Sequence, residues 1–184
     1  MSSSNLSWGK PRIFVKDLDT QNAKWKELNT PAQDTTELQP TKGDKMEAPI
    51  EGGENEEVKY KDGQFAVVYN IRKYKDRAVP IPNKNGVAGK HYAFCLMPED
   101  DENIGFYIEK STVTVDDSFT PADGAIWAIQ HDAIAATSGN TVKWGTVAIT
   151  DGTGNVKNLS FTETQPAEGA TAVEFEEEVT LLTA

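Results

Sequence analysis

The sequence predicts a mainly β protein with a single domain. Three observations carry this. Its 184 residues suit one domain and leave little room for two full cores. Short runs rich in Val, Ile, Phe, Tyr and Thr recur along the chain, bounded by Gly, Pro, Asn and Asp. Several runs alternate apolar and polar residues, the period of a strand with one buried face.

In chain order, residues 12–16 form the first β-prone run. A polar stretch over about 17–62 follows, with Pro31, Pro40, Pro49 and the pair Gly52-Gly53, and reads as a long loop or hairpin region. Within it, residues 44–57 hold six acids against one cation, Lys45. Residues 64–72 alternate, with Phe65, Val67, Tyr69 and Ile71 on one face. A second loop spans 75–90, with Pro80, Pro82 and a turn over 83–86. Residues 92–97 form a strand stopped by Pro98, and 106–115 a longer one. Residues 141–150 and 156–162 form a hairpin around the turn 151–155. The last strand, 172–182, puts Val173, Phe175, Val179 and Leu181 on one face and Glu174, Glu176 and Glu178 toward water.

Residues 121–136 carry two patterns. Thr120 as N-cap, Pro121 at the first helical position and Gly139 past the end predict one helix. Its apolar stripe is Ala122, Ala125, Ile126, Ile129, Ala133 and Ala136. The alternative is a strand with Trp127, Ile129, His131 and Ala133 on one face, which Gly124 and the Ile/Trp content favour.

Composition excludes several functions. A net charge of −11 repels nucleic acid, so groove binding is not expected. The same charge suits solubility, or a conduit through which DNA slides without sticking. No apolar run reaches the ~18 residues of a membrane helix. The first residues show no basic-then-apolar pattern, so an intracellular or intravirion protein is expected. One cysteine, Cys95, sits in an apolar run and reads as a small core residue.

The search for chemistry returns no catalytic constellation, and neither an enzyme nor a cofactor is expected. His131 and His91 read as polar residues at strand edges. No phosphate loop or nucleophile elbow is present. Asp151, Thr153 and Asn155 alternate like calcium ligands, but the twelfth loop position is Thr162 rather than a glutamate. Trp144 reads as core. Trp8 and Trp25 flank a short strand in a polar region. There an aromatic either anchors an interface or fills a satellite cluster under the loop, and both residues are candidate inter-subunit contacts.

Some stretches resemble the tail-tube proteins of long-tailed bacteriophages. These are Ser7-Trp-Gly-Lys-Pro-Arg-Ile-Phe-Val15, Trp25-Lys-Glu-Leu-Asn-Thr-Pro31, Asp34-Thr-Thr-Glu-Leu38, Thr41-Lys-Gly-Asp-Lys-Met-Glu-Ala48 and Glu51-Gly-Gly-Glu54. The likeness covers most of the chain and lies in the order of features; residues 75–105 have no counterpart in it. It implies a β-sandwich or half-barrel with one flanking helix and long loops. It also implies assembly into rings, usually hexameric, which stack into a tube. The partners would be further copies and other tail proteins such as the tape measure and tail terminator. DNA would pass without binding, and the protein, made in the host cytoplasm, would reside in the virion tail. Glu174, Glu176 and Glu178 are then candidates for an acidic luminal face. Residues 140–184 hold seven acids against Lys143 and Lys157. Other readings are a different tail, baseplate or injection-machine component, or a ligand-binding β-sandwich.

Overall fold

Twelve strands and no helix make up the described residues, 9–100 and 102–182 of a computed structural model. They are β1 (Arg12–Asp17), β2 (Trp25–Glu27), β3 (Glu37–Thr41), β4 (Lys45–Pro49), β5 (Asn55–Tyr60) and β6 (Gln64–Arg72). Then come β7 (Val87–Met97), β8 (Ile104–Thr120), β9 (Gly124–Ala133), β10 (Val142–Asp151), β11 (Lys157–Glu163) and β12 (Glu174–Thr180). The protein is thus mainly β, and all seven runs read from the sequence lie on strands.

Ten strands form one mixed sheet in the order β10-β11-β12-β2-β1-β7-β8-β9-β6-β3, and β10 also pairs with β8. That extra pairing closes a ring through β8, β10, β11, β12, β2, β1 and β7. Strand direction cannot alternate all the way round an odd ring, so one joint must be parallel. It is β2–β12, where Val179 faces Trp25 and Thr180 faces Lys26.

The barrel interior takes one residue parity from each strand: Phe14, Trp25, Cys95, Val147, Phe161 and Val179 are all buried there. The opposite parity of β1, β7 and β8 enters a second core. There Ile13, Val15, Phe94 and Ile108 meet Val67, Tyr69, Ile71 and Ile129 of β6 and β9. The layers are sandwich-like, and β1, β7 and the first half of β8 are the shared wall. Double-sided burial explains the unbroken apolar runs Ile13-Phe14-Val15 and Ala93-Phe94-Cys95.

β8 turns its side chains midway. Tyr92 is opposite Ser111 but Phe94 is opposite Ile108, so β8 carries one extra residue there. The bulge lets Phe106 and Ile108, and then Val113 and Val115, reach the same core.

The expected helix over 121–136 is corrected to a turn and strand β9. Thr120 does what a helix cap does: its Oγ1 accepts the Asp123 N–H at 3.0 Å. The chain then passes through Gly124 at φ 75°, which ends a tight turn and begins no helix. β9 pairs with both β8 and β6, and Trp127, Ile129 and His131 point into the core. Two flanking strands take up the backbone hydrogen bonding of β9 on both sides, and the core-facing residues Trp127, Ile129 and His131 are larger than most of the helical stripe.

The polar region 17–62 holds four strands. β3 pairs with β6 and, after residues 42–44, β4 pairs with β5, making a two-part ribbon that turns at 50–54. At 83–86 the chain reverses through Asn85 (φ 51°) and Gly86 (φ 86°), with Lys84 and Val87 exchanging both backbone hydrogen bonds.

Ring closure depends on a close approach. Gly105 and Gly145 face each other where β10 meets β8. A Cβ on Gly145 would lie 2.1 Å from the Thr162 carbonyl oxygen, and one on Gly105 2.2 Å from that of Leu96. Gly145→Ala should therefore displace β11 and destabilise the fold by about 3 kcal/mol or more, read as a lowered urea midpoint. Gly89→Ala, which meets nothing within 4 Å, is the control and should move the midpoint little.

Candidate functional site

The most polar buried group joins three strands. His131 on β9 is fully buried and stacks on Tyr69 of β6 at 5.6 Å between centroids. Its Nε2 lies 2.8 Å from the Tyr69 hydroxyl and its Nδ1 3.1 Å from Ser111 Oγ. Ser111 in turn donates to the Tyr92 carbonyl at 2.8 Å. The proton count fixes the roles. The serine proton is spent on the carbonyl, so Nδ1–H donates to Ser111 Oγ and Nε2 accepts from Tyr69. The imidazole is neutral, and burial lowers its pKa from 6.5 to about 3. The edge position expected for His131 is thus corrected to a core position, set by its parity with Trp127 and Ile129. All three side chains lack solvent access, so this array fastens β6, β8 and β9 together and meets no substrate.

The other reactive candidates are similarly committed. Cys95 lies inside the barrel, where burial pushes its thiol far above the ordinary range. His91 is partly exposed, and its backbone N–H donates to Asp19 at 2.8 Å. Asp151 pairs with Lys157 across the β10–β11 hairpin. Among the described residues no three His, Cys, Asp or Glu side chains group as metal ligands.

Trp25 is 1% exposed and stacks on Phe175 at 5.6 Å with rings 5° apart. It is an internal anchor at the parallel joint and has no surface to offer a second subunit. Its Nε1 is the one buried side-chain donor without a partner among the described residues. Trp8 lies outside the described residues. Trp144 is half-buried against Phe106 at 5.1 Å.

Glu174, Glu176 and Glu178 share the outer face of β12, as their spacing requires. Glu176 accepts from Thr150 at 2.9 Å, and Glu178 pairs with Lys24 at 2.6 Å. Register extends this face over three strands. Thr146, Thr162 and Glu174 align, then Ala148, Ser160 and Glu176, then Thr150, Asn158 and Glu178. The nine residues include no cation and no large apolar side chain. Glu177 has the opposite parity and pairs with Lys16.

The second exposed feature is the β4–β5 hairpin, in which all eleven strand residues are exposed. It forms its own two-stranded sheet, with both edges bare. Met46, Val58 and Tyr60 on its strands and Ile50 at its turn are each 41–51% exposed. The sequence places it in a long loop or hairpin region and marks its acids, but gives no strand bounds, because no face of it alternates toward a core. No known protein family matches the chain, and a search of curated proteins finds no relative.

The His131 array makes fold stability pH-dependent with a defined sign. Between pH 6.5 and about 3 the unfolded chain binds a proton here that the folded chain does not. This contribution is complete above pH 6.5 and is lost as pH falls toward 3. His131→Gln can keep both hydrogen bonds and does not titrate. Its stability should fall less steeply over that window, by close to one proton in the slope of unfolding free energy against pH.

Proposed function

We propose that this protein is a structural subunit that assembles through copies of itself into stacked rings, forming a tube of the phage-tail type. The observation that carries the reading is the β4–β5 hairpin. A lone two-stranded hairpin is marginal in water, and this one is long, wholly exposed and bare on both edges. A protein that keeps such an element has a partner to cover it. The architectural resemblance of the sequence points to a neighbouring ring. On this reading rings close by a repeated head-to-tail rotation. Tape-measure and terminator proteins cap and measure the tube, and the product resides in the virion tail.

The polar face of β10, β11 and β12 suits the lumen. Phosphates would meet hydroxyls, amides and carboxylates there, and the neighbouring cation Lys24 is already paired with Glu178, so the face would hold them weakly. A non-catalytic role agrees with the burial of His131 and Cys95. A carbohydrate-type binding face is less well supported: the exposed large aromatics Tyr60, Tyr74 and Phe119 stand on separate elements and form no row.

Negative-stain electron microscopy with light scattering across concentration tests the assembly. Rings or tubes are expected; a monomer that neither forms them alone nor joins preformed tail particles would overturn it. Luminal placement has its own test. Replacing Glu174, Glu176 and Glu178 together by lysine should leave tubes intact and slow DNA release from particles. An unchanged release rate would place this face elsewhere.

A further inference from the structure

We propose that the acidic turn of the β4–β5 hairpin docks on the basic loop 72–77 of a second copy of this chain. The inference rests on the self-assembly reading and names the two surfaces that meet.

Both surfaces are attached to β6, at opposite ends. The hairpin joins it where Thr41 pairs with Gln64, and the loop leaves from Arg72. Nine extended residues separate these ends by roughly 25 Å. One subunit therefore carries the two surfaces on different ends, the arrangement that a head-to-tail contact needs.

Their charges are opposite. From Glu47 to Glu57 the hairpin has five glutamates and no lysine or arginine. Glu47 and Glu57 pair with Lys45 and Lys59 of the hairpin itself. Glu51, Glu54 and Glu56 are exposed and have no ion-pair partner among the described residues. The loop holds Arg72, Lys73, Lys75 and Arg77 against one acid, Asp76. Lys73 is taken by Asp117. Arg72 and Arg77 donate to the carbonyls of Asp123 and Arg72, which fixes their position without neutralising them. Lys75 is exposed. In a chain of net charge −11 this is a local excess of cations. It lies opposite an anionic turn whose charges the chain leaves unmatched.

Apolar surface is matched as well. Ile50, at the hairpin turn, is 48% exposed. Beside the basic loop lies a cleft of about 440 Å³, lined in part by Tyr74, Arg77, Ala78, Pro80 and Leu182. The cleft border carries Lys26 and Arg77 together with Glu27 and Asp76, so its apolar floor suits Ile50 while the cationic attraction comes from Lys75 and the arginines of the loop. Gly52 and Gly53, at φ 98° and 86°, carry the reversal of the chain just after Ile50.

Charge reversal with rescue tests the contact in the full-length protein. One variant carries Glu51→Lys, Glu54→Lys and Glu56→Lys; the other carries Lys75→Glu and Arg77→Glu. Each alone should raise the concentration needed for assembly by on the order of tenfold or more, and mixing the two should restore it. Assembly of the native protein should weaken at about 1 M salt, where screening acts within ~3 Å. Carbodiimide treatment of the native protein should join Glu51, Glu54 or Glu56 to Lys75 between chains. Reversed variants that assemble like the native protein would overturn the docking and leave the tube reading standing. So would variants that fail singly and are not rescued together. Native protein that neither assembles nor gives an inter-chain cross-link would overturn both.

Discussion

Seven strands cannot alternate direction around a closed ring, and much of this structure follows from how the chain meets that constraint. The parallel joint falls between β2 and β12, over two residue pairs. β2 has only three residues, so backbone bonding at the joint is sparse. Side chains strengthen it instead. Trp25 stacks on Phe175 across the joint, while Arg12 of β1 holds β2 in place through two hydrogen bonds to Glu27. Lys16 and Lys24, on either side of β2, reach Glu177 and Glu178 of β12. Opposite the joint, the paired glycines 105 and 145 let β10 turn close against its neighbours.

Closing the ring also makes β1, β7 and half of β8 into a wall with a core on each side. That wall puts strict demands on register, since a one-residue slip would exchange the contents of the two cores. The bulge in β8 opposite Ala93 shows how the demand is met. It re-aims the second half of the strand so that Val113 and Val115 stay with the same core as Ile108. The His131 array lies in that re-aimed region and ties the outer strands to it through fully satisfied hydrogen bonds.

What could be read from the sequence follows from burial. Strands with an apolar face, such as β6 and β12, are legible from alternation alone. Strands β3, β4 and β5 are not, because their side chains are nearly all exposed and their pairing is carried by the backbone. The segment 121–136 misleads for a different reason. A threonine that accepts the N–H three residues on is equally good chemistry for a helix cap and for a tight turn. Only the presence of β6 and β8 on both sides decides between them. Trp25 was out of reach because its partner Phe175 is 150 residues away along the chain. Its polar neighbours suggested a surface that the barrel instead closes over. The three outward glutamates were legible, since parity on β12 needs no knowledge of other strands. The uncharged columns beside them were not, since they depend on register with β10 and β11.

The division of apolar residues sets the character of any assembly this chain makes. Two cores absorb most of the large aliphatic and aromatic side chains, and those left exposed, Phe119 and Tyr74 among them, are scattered over separate elements. What remains outside is a hairpin with scattered apolar residues, unmatched carboxylates near its turn and a local excess of cations at the far end of β6. An interface built from such material draws its specificity and encounter rate from charge and relatively little from buried area. Under the proposed function, unlike charges at the two ends of β6 would give the association of copies a defined polarity. On the same reading, the excess of acid that keeps free subunits apart also leaves the outer strand residues of β10, β11 and β12 without cations of their own, with Lys24 at the edge held by Glu178. One charge distribution thereby serves storage, directional growth and unhindered passage of a polyanion.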